Sequence, residues 1–391
     1  MQKTATAGND GKSVKSDCSV QIKLTESGGI SVNLKSKVEK YFGKMIIKLC
    51  KDELKFFGIQ NAEVEIIDSA SLDYVIMARI ESAVKKLIKT DKEYLPSNEM
   101  RFKETKKNRL RRSRLYLPGN SPKLMMNAGL HNADGIILDL EDSVAPSKKD
   151  EAKILVRNAL IKSNFYDSEK MVRINQLPAG LDDLKYIAPY NVNLILIPKC
   201  ETAKQVIEVE NKITEILDEK NLKKQIWFMP IIESALGVVN SYKIASASEN
   251  VVALAIGLED YTADIGTGRT QDGTESFFAR SQIMNSAKAC GIQAIGSVFS
   301  DVNDSDGLRK YVESEKALGF TGIGCIHPRQ IPIIHNAFAP SKDEIKKAKI
   351  IIDAFKDAKK RGLGVVSIGS KMIDPPVVKR AEQTIKMSKN K

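Results

Sequence analysis

No apolar run in the sequence approaches the roughly 20 residues needed to cross a bilayer, so no membrane-spanning helix is expected. The first thirty residues are polar and lack the apolar core of an export signal, which gives an expected cytoplasmic location. Five cysteines, Cys18, Cys50, Cys200, Cys290 and Cys325, are odd in number, far apart and without metal-ligand spacing, as expected of reduced thiols. With three histidines and no His/Cys cluster, a zinc centre is not expected. The stretch SVAPSKKDE lacks the glycine pattern of a phosphate loop, so no nucleotide is read there.

What is present suits a large globular protein. At 391 residues the chain is longer than one core usually grows, and 42% hydrophobic with 28% charged residues excludes wholesale disorder. Net charge is +12, and half of that excess lies in 89–114, with ten Lys and Arg against four Asp and Glu. Such a run reads first as a solvated linker and second as a place for a phosphate-rich ligand. Nucleic acid is not an expected partner, because the run has little aromatic interleaving for base stacking.

Periodicity divides the chain into four sections: 1–90, 91–111, 112–338 and 339–391. The first alternates apolar and polar in SVQIKL, ISVNL and AEVEII and takes helical spacing over 37–57 and in YVIMARIESAVKKLI, which predicts a small α+β domain. The second loses periodicity and is expected to be a basic linker, spanning about 20–25 Å as a flexible coil. The third holds eight short apolar runs, RLYLPG, GIILDLED, MVRIN, NLILIPK, IWFMPIIE, VVALAIGLED, AIGSVF and GIGCIHP, separated by amphipathic stretches. Eight βα units predict an α/β fold with a TIM (β/α)8 barrel, and an open doubly wound sheet is the alternative. The fourth, an amphipathic helix followed by a Gly/Pro-punctuated loop and another helix, reads as a C-terminal helical lid or as packing on the barrel's outside.

The chemistry sits where the apolar runs stop. Catalytic groups of such barrels project from the C-terminal strand ends, and these runs end in Glu141 and Asp142, Arg173 and Asn175, Lys199, Glu233, Glu259 and Asp260, Ser297 and His327. Glu233 and Asp260 can each give one cation a hard oxygen ligand, the way magnesium is usually held. Arg173 offers a planar fork for a substrate carboxylate, which Asn175 could orient. Competing structural readings make Glu141 and Asp142 helix caps or partners of Lys148 and Lys149, and Glu233 and Asp260 mere partners of Lys199. Lys199 could also form a Schiff base if desolvated. His327, before Pro328, reads as a turn residue.

The segments RRSRLYLPGN, ILDLEDSVAPSKKDEA, VRIN, LIPKCE, PIIESALG, AIGLEDYTADIG, CIHPRQI and GSKMIDPPVVKRA together resemble the citrate lyase β-subunit family, within the HpcH/HpaI aldolase superfamily and the magnesium-dependent CoA-thioester lyases. The resemblance covers about 112–388. It implies magnesium on Glu233 and Asp260, the keto-acid carboxylate on Arg173, and Asp374 reaching over a neighbouring subunit's site in a homo-trimer or hexamer. GGISVNLKSKVEKYFGK and NAEVEIIDSASLDYVIMARIESAV resemble the citrate lyase γ-subunit, an acyl carrier with a CoA-like prosthetic group (phosphoribosyl-dephospho-CoA) on a serine. Ser13, Ser16 and Ser19 are the candidates, and Ser16 fits best. The implied reaction is magnesium-dependent cleavage of a citryl thioester to oxaloacetate and an acetyl thioester, with a citrate lyase α-subunit as a loading partner. The alternative is a lyase of free malyl-CoA or citramalyl-CoA whose amino-terminal domain only docks, with Arg111 and Arg112 meeting CoA phosphates.

Overall fold

The computed structural model describes residues 3–97, 102–270, 272–362 and 364–389. Its amino-terminal part is a four-stranded sheet under two helices. Strands β1 (Thr4–Gly8), β2 (Cys18–Leu24), β3 (Ile30–Ser36) and β4 (Ala62–Asp68) lie in the order β1-β2-β4-β3, and helices α1 (Glu39–Phe56) and α2 (Asp73–Leu87) complete the unit. Alternation sets the faces: Val20, Ile22, Val64 and Ile66 are buried while Gln21, Lys23 and Glu63 are exposed. The inner residues pack with Ile46, Leu54, Ile80 and Val84. Burying each such side chain stabilises the unit by about 1.5–3 kcal/mol. Strand β1 is absent from the sequence reading.

The eight apolar runs of the third section form the eight parallel strands of a closed barrel: β5 (Ser113–Pro118), β6 (Gly135–Asp139), β7 (Glu169–Arg173), β8 (Leu194–Ile197), β9 (Trp227–Ile232), β10 (Ala253–Ile256), β11 (Gln293–Gly296) and β12 (Gly322–Cys325). The connecting helices are α3 (Pro122–Met125), α4 (Lys149–Lys162), α5 (Gly180–Ile187), α6 (Ala203–Glu219), α7 (Ala235–Ala245), α8 (Leu258–Asp264), α9 (Phe277–Ala289), α10 (Ser305–Leu318) and α11 (Gln330–Phe338). Ile137, Met171, Met229, Ile231, Ala255 and Ile295 fill one buried cluster inside the barrel. Because side chains on one face recur every second residue, that set continues upward to Asp139, Arg173, Glu233 and Gly257 at the strands' C-terminal ends. Asp139 and Arg173 are direct register partners across β6 and β7.

The basic segment is not a free coil where it is described. Over 102–112 it covers the barrel's base, the end away from the catalytic groups. Arg111 is fully buried and binds Glu169 at 2.7 and 2.9 Å, and Arg112 grips Asp134 at 2.9 and 3.0 Å. The carbonyl oxygens of Lys103, Thr105 and Arg109 accept from Asn193, Trp227 and Gln293 at 2.8 Å each. Acids at the strands' N-terminal ends neutralise these arginines, so Arg111 and Arg112 are closed to CoA phosphates.

The amino-terminal unit is locked to α4 by buried ion pairs. Arg157 makes a bidentate pair with Glu81, at 2.8 Å for both bonds, and also donates to Glu93 at 3.0 Å. Arg79 binds Asp17 at 2.9 and 3.0 Å, and Glu151 accepts from the Gly8 amide at 2.9 Å and from Lys86 at 2.7 Å. Beyond the barrel, α12 (Lys342–Lys360) and α13 (Pro375–Lys389) form a helical hairpin. Strands β13 (Val366–Ile368) and β14 (Lys371–Ile373) pair at its tip, where the sequence reading has only a loop. Met387 and Ser388 return beside Leu110 and Arg112 at the base.

Candidate active site

Asp139 organises the mouth of the barrel. Its Oδ1 accepts from Arg173 Nε at 2.6 Å and its Oδ2 from Arg173 Nη2 at 2.7 Å, while the amides of Glu141 and Ser143 donate to the same carboxylate at 3.0 and 3.2 Å. One side chain therefore fixes both the arginine and the loop after β6. Despite burial, Arg173 holds the Asp139 carboxyl below the usual carboxylate range, and despite its own burial Arg173 is held more firmly protonated by Asp139. The guanidinium lies over the Tyr116 ring, 5.3 Å from its centre, and its Nη1 faces Glu141 at 2.7 Å. Glu141 Oε2 has no aligned hydrogen bond there, so that contact is an ion pair with an accepting site to spare. Burial first, then the Asp142 charge, push the Glu141 carboxyl up to about 7 against the pull of Arg173.

Glu233, two residues beyond Ile231, is 6% exposed and turns one oxygen to the backbone N–H of Lys199 at 2.8 Å. Lys199 holds a left-handed conformation, φ 46°, which costs a non-glycine residue about 1 kcal/mol and aims that N–H inward. Gly257 makes room for the other oxygen: a Cβ there would lie 2.3 Å from Glu233 Oε1. Burial, and then the charges of Glu141 and Asp260, push Glu233 up to about 7. Asp260 stands on the first turn of α8 and is half-exposed. The Lys199 ammonium hangs between Asp260 at 3.5 Å, Glu141 at 3.6 Å and Asp142 at 4.0 Å, too far for a hydrogen bond to any of them.

Tyr116, Asp139, Asp142, Arg173, Glu233 and Asp260 border a cavity of about 370 Å³, with Glu141 and Lys199 behind them in contact with Arg173, Asp142 and Asp260. Among the described residues no three His, Cys, Asp or Glu side chains converge as a closed metal cage. Two hard carboxylates beside an open cavity are what a magnesium ion needs when substrate and water complete its shell. Asp139, Glu141, Asp142, Glu233 and Asp260 also outnumber Arg114, Arg173 and Lys199, leaving a negative excess that a divalent cation would offset. The residues present therefore fit the group.

Other expected residues stand elsewhere. Asn175 does not orient Arg173: its amide donates to Asp183 at 2.8 Å and its oxygen accepts from Lys149. Lys149 also binds the Leu140 and Glu141 carbonyls, so Glu141 and Asp142 neither cap α4 nor pair with it. Asp374 accepts from the Val377 amide at 3.2 Å at the start of α13, and no described residue of the α12–α13 hairpin borders its own chain's mouth cavity. His327 accepts from the Arg329 amide in a turn. Ser16 has φ 57° and is half-exposed in the loop between β1 and β2, with its amide bonded to the Ser69 carbonyl at 2.9 Å. Among the lining residues that escaped the sequence reading are Tyr116 and Arg114, although both lie on the inward parity of β5.

Comparison with known proteins matches residues 112–328 to the family described as HpcH/HpaI aldolase/citrate lyase, and residues 2–87 to the family described as malonate decarboxylase delta subunit. The chain is 40% identical over 285 residues to the citrate lyase subunit beta of Leuconostoc mesenteroides subsp. cremoris, covering 72% of this chain and 94% of that protein. It is 32% identical over 290 residues to human mitochondrial citramalyl-CoA lyase, covering 71% and 85%. Among solved structures, the protein CitE of Mycobacterium tuberculosis in complex with magnesium, acetoacetate and coenzyme A is 28% identical, with a TM-score of 0.61 over 72% of this chain and 98% of that one.

Proposed function

The chain belongs to the HpcH/HpaI aldolase/citrate lyase family, and from that premise we propose that it cleaves a citryl thioester to oxaloacetate and an acetyl thioester with the help of magnesium. The observation that carries this reading is the convergence of Glu233 and Asp260, Glu141 and the Asp139-held Arg173 at the barrel mouth. Magnesium held by Glu233 and Asp260 would polarise the oxygen that becomes the keto group. Arg173, with Nε and Nη2 bound to Asp139, offers the substrate carboxylate beside that carbon its Nη1, which the carboxylate would share with Glu141 at 2.7 Å. Glu141, with a carboxyl poised near neutrality and an oxygen lacking an aligned partner, takes the hydroxyl proton. The O–H electrons then form the C=O bond, and the carbon–carbon pair passes to the thioester α-carbon, giving an enolate that a proton quenches. Lys199 lowers the cost of that negative charge. Asp374, carried on the projecting hairpin, serves the mouth of a neighbouring copy.

The thioester itself is proposed to hang from Ser16. Gly8, at one end of that loop, binds Glu151 and Lys148 at the start of α4, and Arg79, which holds Asp17 at the other end, donates to the Asn120 carbonyl at 3.4 Å. Both barrel contacts lie in βα connections, on the same end as the mouth. The buried Arg157–Glu81 pair keeps the unit from swinging, so the arm alone travels. Tethering of this kind raises local substrate concentration to about the millimolar range. Free CoA esters are the second reading, supported by the coenzyme A in the mycobacterial relative. The test is an assay of the purified protein with magnesium against citryl-CoA, malyl-CoA and citramalyl-CoA. Failure to release a keto acid from all three would refute the free-CoA reading, and the same failure by protein carrying the citryl-loaded arm would refute the lyase reading. Intact-mass measurement on protein from its native host, showing no adduct on Ser13, Ser16 or Ser19, would transfer the reaction to free CoA esters.

A further inference from the structure

Four arginines are among the largest fully buried side chains: Arg79, Arg111, Arg114 and Arg157. Three of them grip a carboxylate, Asp17, Glu169 and Glu81 respectively. Arg114 grips none among the described residues. Its Nη1 reaches the weakly accepting Met229 sulfur at 3.0 Å, its Nη2 donates to the Gly296 carbonyl at 3.3 Å, and its Nε has no partner. A buried cation without a counter-charge costs several kcal/mol, about as much as one good buried ion pair recovers. Such a group persists where an anion completes it.

The fold supplies the place. Arg114 sits two residues below Tyr116 on the same inward face of β5, flanked in register by Gly135 on β6 and Gly324 on β12; a Cβ at Gly135 would stand 3.6 Å from the Arg114 stem, and one at Gly324 would press on Val298 and Tyr116. It is 1% exposed, yet it borders the mouth cavity. Arg173 borders the same cavity one level higher, over Tyr116. The mouth thus carries two arginines at two depths, one held by an acid and one open.

We propose that Arg114 receives a second carboxylate on the keto-acid half of the substrate, so that the site selects an acyl group whose cleavage yields a dicarboxylic keto acid over one that yields a monocarboxylic keto acid. This rests on the lyase reading of the same mouth. Oxaloacetate, the product of a citryl thioester, has that extra carboxylate; pyruvate, the product of a citramalyl thioester, has a methyl group there. A charged hydrogen bond of about 1.5–3 kcal/mol corresponds to about a 10- to 150-fold preference.

Titration calorimetry of the full-length, magnesium-loaded protein with oxaloacetate and with pyruvate tests it. The wild-type protein should bind oxaloacetate about 10-fold or more tightly than pyruvate, and R114M should bring that ratio towards one. R114M should also raise the melting temperature of the ligand-free protein, because it removes an uncompensated charge. Equal affinities in the wild-type protein, which needs no variant, would overturn the proposal, as would an unchanged ratio in folded R114M. Turnover of thioesters with equal keto-acid affinities defeats this inference and leaves the lyase reading intact. Preserved oxaloacetate preference with no turnover of any thioester does the reverse.

Discussion

The seam between the amino-terminal unit and α4 and the mouth of the barrel both bury charge densely, yet they treat it oppositely. At the seam each base has its acid: Arg157 with Glu81 and Glu93, Arg79 with Asp17, Lys86 with Glu151, at 2.7 to 3.0 Å. At the mouth Lys199 stands 3.5 to 4.0 Å from three acids, Glu141 and Glu233 are pushed up to about 7, and Arg114 has no acid among the described residues. A closed network fixes one arrangement and gains nothing from a ligand, whereas an open one is completed by what it binds. The seam is therefore structural glue, and the mouth is where chemistry is expected.

Substitutions on the two sides should separate stability from turnover. The largest effect is expected at the mouth: Glu233→Gln or Asp260→Asn should lower kcat about a thousandfold or more, given the several kcal/mol a metal supplies, while the urea midpoint stays near wild type. Near-wild-type turnover in both would remove the metal assignment. At the seam Arg157→Met strands Glu81 and Glu93 and should cost about 3–5 kcal/mol of stability with turnover per folded molecule preserved. A cost near zero in denaturant titrations would mean that the seam is not closed as described. Asp139→Asn should lower kcat/KM about 10- to 100-fold, since it weakens the grip on Arg173 by about the energy of a charged hydrogen bond, and Arg173→Lys should weaken keto-acid binding. Smallest is a pH effect. Glu233 and Glu141 keep protons in the folded, metal-free protein that the unfolded chain releases from about pH 4.5 upward. Stability of that form should therefore fall as pH rises from about 4.5 to 7 and level off above. A rise across that window, measured by urea unfolding, would contradict the open mouth.

The sequence announces the mouth better than the seam. Each barrel strand is a compact apolar run, and the acids at its end are adjacent in the chain, so Glu141, Asp142, Arg173, Lys199, Glu233 and Asp260 are legible from spacing alone. The seam joins partners such as Glu81 and Arg157, which no local pattern connects. For the same reason the segment over 102–112 reads as a solvated basic linker, although Glu169 and Asp134 neutralise it at the barrel base. Strand β1, TATAG, holds no large apolar residue to mark it, and β13 and β14 are three residues each. Asn175 misleads because its neighbours Asp183 and Lys149 come from helices that spacing cannot place beside it.

Gly257 gives the mouth an unusual genetic fragility. Any missense change in its codon installs a side chain where Glu233 keeps its free oxygen, only 2.3 Å from the position of the new Cβ. The barrel need not unfold, because the obstacle is the end of one side chain rather than backbone, but the carboxylate must leave its place. A population carrying such a change would keep an abundant, folded and inert protein. Under the proposed sharing of Asp374 between assembled copies, that inert chain would still donate its own Asp374 to a working neighbour. A null allele at this position would then be partly complemented inside mixed assemblies, while one at Asp374 would complement it from the other side.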